Sequence, residues 1–200
     1  MSLRGFQQAL VDLTLAPRTG PDALARYDLS PRERKRLQAI VRQPGMAVSR
    51  SLVRGNRLEI IAGAFPMTCV LLKPVLRGLL DELWGRHQPN NYQLAGEEAA
   101  FAAFLSLRLA SGGLAIEYLD EIFRYEMACW EMALQIRTLG EQAVCETVVE
   151  FLHPPDLLLP PLSRMEAPPP GLLRGSYPTR VRLRESGLEV EGVTGPPGSF

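Results

Sequence analysis

The feature that most constrains this chain is one apolar stripe. Tyr118, Ile122, Tyr125, Cys129, Met132 and Ile136 recur at alternating spacings of four and three residues, which places them on one face of an α-helix. Leu119, Phe123 and Trp130 widen the stripe. The spacing therefore predicts a central helix over 116–137 that several other elements must cover. With 46% apolar and 22% charged residues in a length of 200, the chain can build one domain with a real core, with or without a small appendage.

Local signals place further helices. Residues 3–15 carry Phe6, Leu10 and Leu13 at helical spacing, with Ser2 as a candidate N-cap. Ser30, Pro31 and Glu33 spell a capping box with proline at the first helical position. Pro44-Gly45 reads as the end of that helix. More helices are expected over 50–64 and 67–87, the latter bent or split at Pro74. After the loop at 86–94, a helix over 96–108 ends at Gly112-Gly113.

Beyond Gly140 the character changes. "VCETVVEFL" is rich in β-branched residues and predicts a strand, while "HPPDLLLPPLSRMEAPPPG" holds seven prolines and predicts an extended or irregular run. "TRVRLRESGLEVEG" alternates with period two. With Ser186-Gly187 as the turn, Leu183 faces Val190, Arg184 faces Glu189 and Arg182 faces Glu191. The expectation is a mainly α fold with a small C-terminal β element (α+β): a bundle-like helical domain over 1–140, a β element over 141–193, and a loose tail over 194–200.

Charge and ligand chemistry narrow the function. Formal net charge is zero, but nine Arg and Lys face two acids between Arg26 and Arg57, and eight acids face two arginines between Glu117 and Glu150. Such polarity steers a charged partner or holds parts of the molecule together. The basic segment reads as a solvated face, a DNA footprint, or a docking face for an acidic protein. Three cysteines without CxxC spacing argue against a disulfide framework and fit a reducing cytoplasm. No segment has the length of a membrane span. His87 and His153 have no second ligand at metal spacing, and no nucleophile elbow or phosphate loop is present. The residues point to no metal, no cofactor and no enzyme of its own.

Glu126 is the exception on the long helix. Glu117, Glu121, Arg124, Glu131 and Gln135 form its polar face, whereas Glu126 shares a flank with Leu119, Phe123 and Trp130. A half-buried carboxylate needs a partner. The Arg54, Asn56 and Arg57 cluster is the expected source, as a tie between helices in preference to a functional site.

Taken in order, Arg54-x-Asn56, Phe65-Pro66-x-Thr68-x-x-Leu71, His87-x-Pro89 with Leu94, Phe101-x-x-Phe104-Leu105, Tyr118-Leu119 and Arg124-x-Glu126-x-Ala128 resemble a known family. Its members carry a DNA-binding-domain label and are encoded beside multinuclear non-haem iron-dependent oxidative enzymes that modify ribosomally made peptides. The match covers roughly residues 50 to 130, leaving the first 45 residues and the β tail outside it. The resemblance implies a non-catalytic partner protein that binds the oxidative enzyme and helps present a precursor peptide. The alternative is a DNA-binding regulator. On the first reading Arg54 and Asn56 lock a helix head, Phe65, Pro66, Thr68, His87, Pro89 and Glu126 shape the docking module, and Arg57, Arg180, Arg182 and Arg184 join Arg54 and Asn56 as contacts for partner or peptide. The free edge of the C-terminal hairpin is the expected place for the peptide.

Overall fold

Local signals set the first two helices. α1 (Leu3–Leu15) buries Ala9 and Leu13. α2 (Pro31–Val41) opens on the expected capping box: the Glu33 amide donates to Ser30 Oγ at 3.3 Å, and the Ser30 amide donates to Glu33 Oε2 at 2.9 Å. The structure is a computed structural model that describes residues 3–15, 24–87, 96–139, 145–184 and 187–192. Ser2, the segment 88–95 with Pro89 and Leu94, Ser186 and the tail at 194–200 lie outside the described residues.

Pro44-Gly45, expected to close α2, instead opens α3 (Pro44–Ala64). Proline fits the first helical position because an amide there has no intrahelical acceptor. Arg54, Asn56 and Arg57 consequently sit in the middle of a helix and not at its head. The expected break at Pro74 is present and separates α4 (Pro66–Leu72) from α5 (Leu76–Arg86). α6 (Glu97–Ala110) ends as its glycines predict. Gly112 takes a left-handed φ of 69°, and the amides of Gly112 and Gly113 donate back to the carbonyls of Leu109 and Arg108. α7 (Leu119–Leu139) starts three residues later than the stripe suggests, because Tyr118 has a left-handed φ of 64°.

The C-terminal part carries one expected strand and one correction. β1 (Glu146–Phe151) is the predicted strand. The proline-rich run after it is irregular over 164–171 as expected, but its first half is helical: α8 spans Pro155–Ser163 with Pro160 and Pro161 inside it. Pro155 occupies the first turn, and Leu158 and Leu162, four apart, are fully buried. Burial of that pair outweighs the two helical hydrogen bonds that the internal prolines remove.

β2 (Tyr177–Arg184) pairs antiparallel with β1 on one side and with β3 (Gly187–Gly192) on the other. The hairpin register differs by two residues from the expected one: Leu183 faces Leu188, Arg182 faces Glu189 and Arg180 faces Glu191. A two-residue slip preserves side-chain parity, so the apolar and charged faces both survive it. The fold is mainly α with a small antiparallel sheet near the C-terminus.

Packing divides the chain into two compact units, Met1–Ile61 with Arg77–Phe104, and Ala62–Leu76 with Leu105–Phe200. In the first, Ala9, Leu13, Leu24, Leu29 and Leu37 form one apolar cluster. In the second, the α7 stripe packs with the sheet and α8: Tyr118, Ile122, Tyr125 and Met132 share a core with Val149, Phe151, Leu158, Leu162 and Val181. The β element expected as a segment of its own is therefore part of the α7 core.

Candidate functional site

The apolar core runs out under β3. On β2, Val181 is fully buried and Leu183 packs against the core, but their cross-strand neighbours Val190 and Leu188 are 37% and 42% exposed. β3 is an outer strand, with no further strand on its free side among the described residues. A cavity of about 480 Å³ opens beside Leu188 and Val190, walled by Tyr125 of α7, by Leu159 and Pro160 of α8, and by Thr179 of β2. Asp156 also lines it. An unpaired strand edge beside an apolar hollow suits an extended peptide with a side chain to bury.

The opposite face of the sheet is matched internally. Arg180 Nε and Arg182 Nε lie 2.9 and 2.7 Å from the two carboxylate oxygens of Glu146 on β1, and Arg182 also approaches Glu191 at 3.7 Å. These arginines, expected as partner contacts, already hold three strands together. The Arg184 side chain lies outside the described residues.

Glu126 is 4% exposed and does tie two helices, though with different partners from those expected. Its Oε1 accepts from the Met67 amide at 2.7 Å and its Oε2 from the Thr68 amide at 2.8 Å. These are first-turn amides of α4, which has Pro66 at its first position and lacks a side-chain cap of its own at Phe65. A carboxylate from α7 thus caps α4. Phe65 is fully buried against Phe123 and Trp130, with ring centroids 5.7 and 6.1 Å away. Burial pushes the Glu126 carboxyl up to about 7, against the pull of the Thr68 and Met67 hydrogen bonds.

The arginines expected beside Glu126 have other partners. Arg57, 1% exposed, lies 2.8 Å from the buried Glu97 carboxylate and donates to the His87 carbonyl at 3.2 Å. Its guanidinium carbon stands 4.8 Å from the Trp84 ring centroid. Its Nε and Nη1 have no acceptor among the described residues, and the indole face supplies attraction in place of a hydrogen bond. The Trp84 indole N–H donates to Glu97 at 3.3 Å. Arg54 pairs with Asp81 and stacks on Trp84 at 5.0 Å, and Asn56 is exposed. Thr68 and Phe65 thus join Glu126 in one clamp, while Arg54, Arg57 and the His87 backbone join a separate ionic cluster. Trp84, Glu97 and Asp81 were not legible as its members, since they lie 24–40 residues from Arg57 in sequence with no period linking them.

Glu121, expected on the polar face of α7, is 2% exposed. It accepts from the amides of Leu152 and His153, and its Oε1 is 2.6 Å from His153 Nδ1. His153 is a loop residue as expected, but one fastened to α7 and set edge-on to Tyr118 at 4.8 Å. Burial raises the Cys69 thiol to about 12 and the Cys129 thiol to about 11, so neither supplies a thiolate near neutral pH. Among the described residues no three His, Cys, Asp or Glu side chains are grouped to hold a metal ion, and no helix is long and apolar enough to cross a membrane. Compared with protein-family models, curated proteins and solved structures, the chain matches none.

Proposed function

We propose that this protein is a non-catalytic partner that binds a multinuclear non-haem iron-dependent oxidative enzyme and holds a ribosomally made precursor peptide for it. The observation that carries the reading is the outer edge of β3, which no further strand covers among the described residues, beside exposed Leu188 and Val190. A strand edge offers alternating amides and carbonyls that an extended peptide can satisfy along its main chain. The resemblance over roughly 50 to 130 supplies the kind of enzyme, and its elements Phe65, Pro66, Thr68 and Glu126 meet in the clamp between α4 and α7. Such a clamp keeps a docking module rigid and lowers the ordering cost of binding. Iron and oxidation belong to the enzyme; this chain contributes recognition.

One observation favours the regulator reading. α2 turns Arg32, Arg34, Lys35 and Arg36 toward solvent, a set of cations able to meet phosphates. A single comparison separates the two. The protein is expected to co-elute with the iron-dependent enzyme encoded beside it, and to bind the neighbouring short precursor peptide in fluorescence anisotropy. Failure of both, together with a sequence-specific complex on its own upstream DNA at physiological salt, would establish the regulator instead.

A further inference from the structure

Building on the peptide-presenting reading, we propose that the cavity under β3 is a specificity pocket. It takes one large apolar side chain of a peptide strand laid along β3, and Asp156 selects a basic residue near that anchor. A strand added at an edge points alternate side chains to the two faces of the sheet. Those on the apolar face come to rest beside Leu188 and Val190, where the core is open. The hollow there measures about 480 Å³, within the roughly 300–1,000 Å³ of small-ligand pockets. Its walls are rigid: Tyr125 belongs to the α7 stripe, and Leu159 and Pro160 belong to a helix anchored by fully buried Leu158 and Leu162.

Charge sets the second preference. Asp156 is the only charged side chain among the described residues lining the cavity, and it is exposed on the first turn of α8. Arg180 and Arg182 of the sheet lie on the opposite face, held by Glu146. An incoming acidic side chain would therefore meet a carboxylate with no cation among the cavity's described walls, whereas Lys or Arg would find a partner. The occupant is an extended peptide carrying an isoleucine, leucine or phenylalanine with a basic neighbour.

A display selection with a random-peptide library on the full-length protein, followed by anisotropy on the most enriched labelled peptide, tests this. The enriched set is expected to share an apolar residue with Lys or Arg close by. Leu159→Trp, which fills the cavity, should weaken the selected peptide by about tenfold or more, the worth of one buried large side chain. Asp156→Lys, on an exposed helix position, should keep the fold and turn the preference from a basic to an acidic neighbour. Peptides that bind wild type and both variants alike would overturn the pocket while leaving peptide presentation standing. If no peptide is enriched, both fall. A cavity occupied by a second copy would show as a dimer in sedimentation that Leu188→Asp abolishes, and that result would overturn the proposal too.

Discussion

At Glu126 two first-turn amides of α4 meet one carboxylate of α7. Removing the carboxylate leaves both donors without an acceptor, so Glu126→Ala should lower stability by roughly 1–3 kcal/mol in chemical denaturation. The effect should depend on pH in a definite direction. The folded-state value, raised from 4.5 to about 7, means that the native protein binds the proton more tightly than the unfolded chain. Stability from this group is therefore full below about pH 4.5 and declines as pH rises through about 7. Wild type should lose part of its advantage over Glu126→Ala between pH 5 and pH 8, and a constant or growing advantage would contradict the assignment. Arg57 and Glu97 form the other buried residue-scale device. Arg57→Ala should cost roughly 3–5 kcal/mol, because it strands Glu97, whereas Arg57→Met combined with Glu97→Leu should recover most of that in urea melts. Sequence alone marked Glu126 as a tie, from its apolar flank. It could not mark the partner, because main-chain amides leave no residue-type signature; Glu121 stayed hidden for the same reason, since two of its partners are amides.

Among the elements, α8 and the hairpin show where pattern reading stops. The periodic α1, the capped α2 and the glycine-terminated α6 were legible because their signals are local. α8 was not, since its prolines argue against a helix and only burial of Leu158 and Leu162 argues for it. Its C-terminus closes with the Met165 and Glu166 amides donating back to the Leu162 and Pro161 carbonyls, and with Met165 at a left-handed φ of 61°. Glycine suits that position better than methionine. Met165 is 65% exposed, so Met165→Gly gives up little packing and should raise the thermal midpoint, by an amount equivalent to about 1 kcal/mol. A lowered midpoint would show that the exposed side chain matters more than the backbone angle. The hairpin's two-residue slip escaped pattern reading because parity leaves both registers with one apolar and one charged face; only the turn position separates them.

For the whole molecule, zero net charge hides a division of labour among cations. Arg50 donates to the Leu13 carbonyl, Arg54 pairs with Asp81 and Arg57 with Glu97, while Arg32, Arg34, Lys35 and Arg36 of α2 form a solvent-facing cluster. Binding to random-sequence duplex should consequently be weak and salt-sensitive, with a log–log slope no steeper than about −4 for that many phosphates. The mainly α class and the C-terminal β element were legible from periodicity and β-branched content. The cavity was not, since it depends on how α8 meets β3, and both the helix and the register had to be known first. The central claim is that β3 receives a peptide along its open edge, and titration calorimetry with the full-length protein tests it most directly. The peptide most enriched by display selection is compared with the same peptide N-methylated at alternate residues, which removes main-chain donors and keeps every side chain. The account predicts that one of the two methylation phases abolishes measurable binding while the other is tolerated, as an added strand requires. Equal affinity for the unmodified peptide and both methylated forms would contradict it.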